Sequence, residues 1–351
     1  MNLPNLLPLA LGLILFSFFV TSLLIVPYIN LLYKLKWTRK KEAPSVGKVP
    51  LFDQLHDIKA GTPLGGGILI IAVVTILFSL LFPFASHMGV YIRSSFDFKP
   101  ELFVIFFTFL SFGALGLSDD LIKTFGKPKK GTLGLIFGLT RKQKFILQWI
   151  LAFIVAYILH YSLGINILHI PLVGSTINLG FWYMPFSAFV IVAFANAFNI
   201  TDGLDGLASG LLLICLGAFG MISSSFLDTP LSLFIALLFG SLIAFLYFNV
   251  WPARIFLGDA GALAFGATLA IIGLLTGSII ALTIIGGVFV VELLSSAVQM
   301  IGWKFIKRPI FPLAPVHHTL LAIGWEEPKI VTRALLVGFV LAIFGLWLAT
   351  I

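Results

Sequence analysis

Ten apolar stretches, each near the ~20 residues a helix needs to cross the hydrocarbon of a bilayer, leave this chain few ways to fold. They run over roughly 6–33, 63–83, 100–118, 143–163, 181–199, 206–224, 231–248, 261–276, 280–302 and 334–351. The pattern predicts an all-α, polytopic integral membrane protein of about ten transmembrane helices, organised as a single domain over residues 1–351. Composition agrees, because 10% of the residues are charged, against roughly 25% in a soluble domain. The first stretch carries no small-residue cleavage site after a short apolar core and is expected to be retained as a helix. The single cysteine, Cys215, falls inside the sixth stretch, so an intrachain disulfide is excluded.

Basic residues set the orientation, since Lys and Arg stay on the cytoplasmic side. With both termini outside, all of the 22 Lys and Arg except Arg93 and Lys99 fall in the inner segments 34–62, 119–144, 249–260 and 303–333. The net charge of +8 then describes one face, and such a face attracts anionic headgroups and phosphorylated substrates. Charge alone suits nucleic acid equally well, but no soluble domain is present to carry it, and none is expected as a partner.

Polar side chains gather at the same face. In Asn196-Ala-Phe-Asn-Ile-Thr-Asp-Gly-Leu-Asp-Gly-Leu-Ala-Ser-Gly210, Asn196, Asn199, Asp202 and Asp205 recur every third residue between two apolar runs, where charge is costly. Gly203 and Gly206 permit a tight backbone, from which the carboxylates are expected to converge on one target: a hard cation, a phosphate, or both. A plain helix cap is the structural alternative. Ser118-Asp119-Asp120 ends the third stretch, and such adjacent carboxylates repel unless a cation or proton sits between them. Lys123, Lys127, Lys129 and Lys130 follow, offering point charges for phosphate; a polar loop is the alternative. Asp259, between glycines, precedes the eighth stretch, where a helix N-terminus offers N–H groups to an anion. Phe256, three residues upstream, can present a ring to a base. Glu292 and Gln299, seven residues apart, share one helix face, and interhelical hydrogen bonds are the structural alternative for them. His317 and His318 follow a proline-stiffened approach. Paired imidazoles suit zinc, but the carboxylates nearby favour magnesium, which leaves the histidines to contact phosphate.

Taken together, these motifs resemble the polyprenyl-phosphate N-acetylhexosamine-1-phosphate transferases (glycosyltransferase family 4), most closely their phospho-N-acetylmuramoyl-pentapeptide transferase branch. The resemblance runs through Lys59-Ala-Gly-Thr-Pro-Leu-Gly-Gly66, Leu117-Ser-Asp-Asp-Leu-Ile-Lys123, Asn196 to Gly206, Phe256-Leu-Gly-Asp-Ala-Gly261, Ala314-Pro-Val-His-His318 and Gly324-Trp-Glu-Glu-Pro-Lys-Ile330. It implies a homodimer in a bacterial-type cell membrane that moves a phospho-sugar from a UDP-sugar to undecaprenyl phosphate, releasing UMP and requiring Mg2+. For the favoured branch the donor is UDP-N-acetylmuramoyl-pentapeptide and the product lipid I, a step of peptidoglycan synthesis. On that analogy Asp259 is the metal ligand, while Asp119 and Asp120 serve the lipid phosphate and catalysis. Gly203, Leu204, Asp205 and Phe256 hold the uridine. Lys59, Asn199, Asp202, Asn249, Gln299 and His317 complete the polar site, with Asp202 and His317 among the catalytic groups and Lys123 and His318 on the substrate.

One departure stands out. The branch carries three consecutive histidines followed by an aromatic and an acid, whereas Thr319-Leu-Leu follows His317-His318 here, at the part that recognises the sugar and peptide. Transfer of N-acetylglucosamine-1-phosphate for another glycopolymer is therefore the nearest alternative. An ion-coupled transporter is the alternative of another class, and it requires charged residues near the bilayer midplane in several spans, where only Glu292 lies clearly within one.

Overall fold

The computed structural model describes residues 6–39, 59–85, 92–125, 140–226 and 228–351. Lys40, Lys41, Lys48, His87, Lys127, Lys129 and Lys130 lie outside them, as does most of the Gly- and Lys-rich stretch 127–140. The helices are α1 (Leu6–Lys34), α2 (Gly66–Ala85), α3 (Phe98–Phe125), α4 (Arg141–Tyr161), α5 (Tyr183–Thr201), α6 (Leu207–Ser225), α7 (Thr229–Asn249), α8 (Gly258–Leu275), α9 (Ile279–Ile285), α10 (Gly287–Ile301), α11 (Val316–Ala322) and α12 (Glu327–Thr350). Ten helices among the described residues are long and apolar enough to cross a membrane, as the hydropathy pattern predicts. Helices suit lipid because each satisfies its own backbone polar groups. Between α4 and α5 a small antiparallel hairpin pairs β1 (Ile167–Ile170) with β2 (Ser175–Asn178), with Ile167 opposite Asn178.

The bundle is built around α8. Its membrane-length window is 94% buried, against 22% for those of α1 and α12, so α8 is the axis and the other two face outward. Helices α3 and α5 pack along it, α1 and α2 lie against α7, and α12 lies against α6 and α9. Phenylalanines knit the interior: Phe109 meets Phe234 edge-on at 5.3 Å between ring centres, and Phe198 stacks on Phe289 at 5.1 Å. Close approach depends on small residues. A Cβ on Gly116 of α3 would run into the backbone of Asp259, and one on Gly67 of α2 into that of Gly261.

Three spans differ from their hydropathy bounds. The third, expected to end at 118, continues to Phe125, so Asp119, Asp120 and Lys123 are helical and not the start of a loop. Each of these polar groups has a partner on a neighbouring element, which lets the helix outlast its apolar sequence. The last span begins at Glu327, well before 334, for the same reason. The ninth is broken at Gly286 into α9 and α10 and ends in a short π-helical turn over Gly302–Ile306.

Candidate active site

Chain reversal at alternate helix ends gathers the C-termini of α3, α5 and α7 and the N-termini of α2, α4, α6, α8 and α12 at one end of the bundle. Asp120 organises the first contact there. Its Oδ1 accepts the backbone N–H of Asp259 at 3.0 Å and its Oδ2 that of Ala260 at 2.9 Å. The free N–H groups at the start of α8 therefore take a carboxylate of the protein itself. Asp119, one residue earlier, turns the other way. Its Oδ2 pairs with Lys144 and lies 3.5 Å from Lys123 Nζ, while its Oδ1 is buried with no hydrogen-bond partner among the described residues. Asp259 completes the cluster: Oδ2 meets Lys123 at 2.7 Å and Lys144 at 3.2 Å, and Oδ1 accepts from Asn199 Nδ2 at 3.1 Å. Lys144 is placed by the capping box of α4, in which the Thr140 hydroxyl accepts the Gln143 N–H and the Gln143 side chain accepts the Thr140 N–H.

A second cluster forms around Lys59. Its Nζ lies 2.6 Å from Asp205 Oδ1 and 2.5 Å from Glu327 Oε1. Asp205 Oδ2 accepts the Ala253 N–H at 2.8 Å, and the Asp205 N–H donates to Glu327 at 2.6 Å. Beside this cluster opens a cavity of about 340 Å³, lined by Lys59, Gly203, Leu204, Trp251, His318 and Trp325 among others. The Lys59 ammonium stands 5.7 Å from the Trp251 ring and 5.9 Å from that of Phe256. The backbone of Phe256 is stitched to the glycine-rich turn ahead of α2: its N–H donates to Pro63 at 2.8 Å and its carbonyl accepts from Gly66 at 2.9 Å.

Asp202 caps α5 between the two clusters. Desolvation pushes its carboxyl up to about 7, the Asp259 carboxylate adds to the rise, and Lys59 and Arg39 hold it back. His317 Nδ1 is 3.0 Å from Glu292 Oε2, which orients the ring so that Nε2 abuts Gly203. His318 lies beside it, 4.2 Å between ring centres with the ring planes tilted by 54°.

Asn196, Asn199, Asp202 and Asp205 were expected to converge on one target, and the structure divides them. Asn196 donates to Gln148 at 2.8 Å within the helical layer, Asn199 faces Asp259, and Asp205 faces Lys59. The reason is the end of α5, where Asp202 leaves the helical backbone at φ −75° and ψ 46°, so that Asp205 no longer continues the α5 face; Gly206, at φ 78°, then starts α6. Asn249 and Gln299 are engaged with backbone. Asn249 donates to the Ile255 carbonyl at 2.9 Å and accepts from Ser209 at 2.7 Å. Gln299 accepts the N–H groups of Ile310 and Phe311 and donates to the Phe311 carbonyl at 3.0 Å, closing the turn after α10. Sequence reasoning passed over Lys144, Glu327, Trp251 and Trp325. Lys144 had a usable signal, a cation at the site-side start of a span. Glu327 and Trp325 lie in the Gly324–Ile330 motif, where the resemblance was the signal but gave neither residue a role.

With Asp120 taken up by the backbone of α8, the donors left in the first cluster are all oxygen: the carboxylates of Asp119 and Asp259 and the amide of Asn199. No group of three or more His, Cys, Asp or Glu gathers as a metal cage among the described residues. One or two carboxylates, with substrate oxygens completing the shell, are how a protein commonly holds magnesium, so these residues fit that ion.

Residues 102–277 match the family described as Glycosyl transferase family 4, a stretch that includes Asp119, Asp120, Asn199, Asp205 and Asp259 and stops short of His317 and Glu327. Over 337 residues the chain is 35% identical to the phospho-N-acetylmuramoyl-pentapeptide-transferase of Bacillus pumilus, covering 95% of this chain and 96% of the relative. It is 34% identical to the protein of the same name from Bacillus subtilis, over 95% and 96% of the two chains. The protein of that name from Chloroflexus aurantiacus is 36% identical, over 90% and 85%.

Proposed function

Since the chain belongs to glycosyl transferase family 4, alongside full-length relatives named phospho-N-acetylmuramoyl-pentapeptide-transferase, and is a phospho-sugar transferase, we propose that its substrates are UDP-N-acetylmuramoyl-pentapeptide and undecaprenyl phosphate. An oxygen of the lipid phosphate attacks the sugar-bearing phosphorus of the donor, the bond from that phosphorus to the oxygen it shares with the uridine-bearing phosphate breaks, and UMP leaves. The product is the lipid-linked diphosphate, lipid I. The observation that carries this reading is the meeting of Asp119, Asp259, Lys123 and Lys144 at one bundle end, close to the Lys59 cavity.

The lysines do the work of charge neutralisation. A phosphate monoester with second pKa about 6 is already largely dianionic near pH 7, so the enzyme needs little basicity and mainly alignment of two anions that repel each other. Lys123, half exposed, and Lys144, nearer the core, can leave the carboxylates for incoming phosphate oxygens. Asp259 would hold magnesium. When bound, that ion supplies Lewis-acid stabilisation of the charge developing on the diphosphate. The Lys59 cavity, walled by aromatic rings, suits the uncharged nucleoside end of the donor, and His317, oriented by Glu292, stands where the histidine pair reaches the glycine turn. The concentration of Lys and Arg at this end supports a cytoplasmic site with both termini outside, in a bacterial-type cell membrane, and the resemblance supports a homodimer.

The Thr319 departure tests donor choice. Its hydroxyl donates to the Leu313 carbonyl, so it tethers the proline-rich approach to α11. A site that has lost one imidazole contact, and nothing else, should still favour the muramoyl-pentapeptide donor. Thr319→His should then raise kcat/KM on that donor by about tenfold or more, as one hydrogen bond to a charged group is worth ~1.5–3 kcal/mol. A kcat/KM ratio that favours UDP-N-acetylglucosamine, with no gain from Thr319→His, would transfer the reading to the N-acetylglucosamine-1-phosphate alternative.

A further inference from the structure

Glu327 opens α12, where an acid ordinarily faces the free N–H groups of its own helix. Its carboxylate reaches elsewhere. Oε1 takes both the Lys59 ammonium at 2.5 Å and the Asp205 backbone N–H at 2.6 Å, and Lys59 meets Asp205 Oδ1 at 2.6 Å. The three side chains are 8%, 3% and 9% exposed for Lys59, Asp205 and Glu327, so water does little to screen them. Through this one acid, α12 is joined to the turn after α5 and to the segment ahead of α2, and all three border the cavity.

Glu327 is the second carboxylate on the Lys59 ammonium, and together with Asp205 it fixes where that ammonium stands beside the cavity and the Trp251 and Phe256 rings. It also fixes the Asp205 N–H, and with it the Gly203–Leu204 backbone that borders the cavity. Removing Glu327 would leave that N–H without its acceptor and Lys59 with a single partner.

We propose that Glu327 is a positioning residue for the nucleoside end of the UDP-linked donor, acting through Lys59 and the Asp205 N–H. The proposal rests on the transferase reading above. Glu327 itself touches none of the reacting atoms. Its removal should loosen donor binding while sparing the chemical step and the lipid acceptor.

The test uses the full-length purified protein, with UMP release measured while donor and undecaprenyl phosphate are varied separately. Glu327→Gln should raise KM for the donor about tenfold, the scale of coupling between residues in one buried network. The acceptor KM should stay unchanged and kcat should remain within about threefold, a margin well below that coupling. Glu327→Asp, which keeps the charge, should fall between the two. The decisive arm is the Lys59→Met background, where Glu327 and Asp205 face each other with no cation between them. There Glu327→Gln removes a repulsion, so its effect should vanish or change sign. A loss of kcat at unchanged donor KM, or the same penalty with and without Lys59, would overturn the assignment. Calorimetric binding of UMP gives the same comparison without turnover. Wild-type protein that binds UMP but turns over no UDP-sugar would defeat the transferase reading and leave the Glu327 comparison standing, whereas protein that binds no UMP would defeat both.

Discussion

Asp259→Asn should lower turnover at least about a hundredfold, the scale seen when a major electrostatic element is removed from an active site. The substitution keeps size and the oxygen that accepts from Asn199, so the helix start should persist. It removes the charge on which Lys123 and Lys144 converge, and a neutral amide is a poor ligand for a hard cation. The deficit should be deepest at limiting magnesium and partly relieved at high magnesium. UMP release over a magnesium titration measures this, and near-normal turnover at limiting magnesium would rule Asp259 out as the anchor of the ion.

Asp120→Ala should be as damaging to activity, but through a different route. Asp120 is 3% exposed and accepts two N–H groups of the first turn of α8, those of Asp259 and Ala260. Deleting it leaves two buried donors without a charged acceptor, a loss of about 3 kcal/mol or more, and frees the backbone that aims Asp259. Stability and turnover should fall together. Asp120→Asn retains one acceptor oxygen and should recover part of both. Asp119→Ala offers the contrast, since its Oδ2 faces Lys123 and Lys144 and neither oxygen takes a backbone donor among the described residues: activity should be lost with little change in thermal stability in detergent. A stable but inactive Asp120→Ala would place Asp120 with the chemistry and not with the helix start.

The contrast between adjacent aspartates marks where sequence ceases to suffice. Hydropathy found the ten spans because lipid imposes one rule on all of them, and it failed at Asp119 and Glu327 because a paired charge can sit inside a helix that its own sequence would end. The polar clusters were visible as motifs, since Asp119-Asp120, Asn199, Asp205 and Asp259 are unusual neighbours for apolar runs. Their pairings were not visible. Lys59 and Asp205 are 146 positions apart and Lys59 and Glu327 are 268 apart, and nothing in either residue names its partner. Equal spacing in Asn196, Asn199, Asp202 and Asp205 suggested one target, but α5 ends at Thr201 and the non-helical backbone at Asp202 sends Asp205 to a different cluster. Asn249 and Gln299 hydrogen-bond to backbone at turns, a role that composition alone does not distinguish from holding a ligand.

The proposed function couples a lipid phosphate to a UDP-sugar at this bundle end. Purified protein should be incubated with magnesium and undecaprenyl phosphate against a panel of UDP-sugars, and UMP quantified alongside the lipid-linked product. The account predicts UMP formed one-for-one with a lipid-linked diphosphate, dependent on both lipid and magnesium, and fastest with UDP-N-acetylmuramoyl-pentapeptide. UMP release that ignores the lipid phosphate, or no release from any donor, would contradict it.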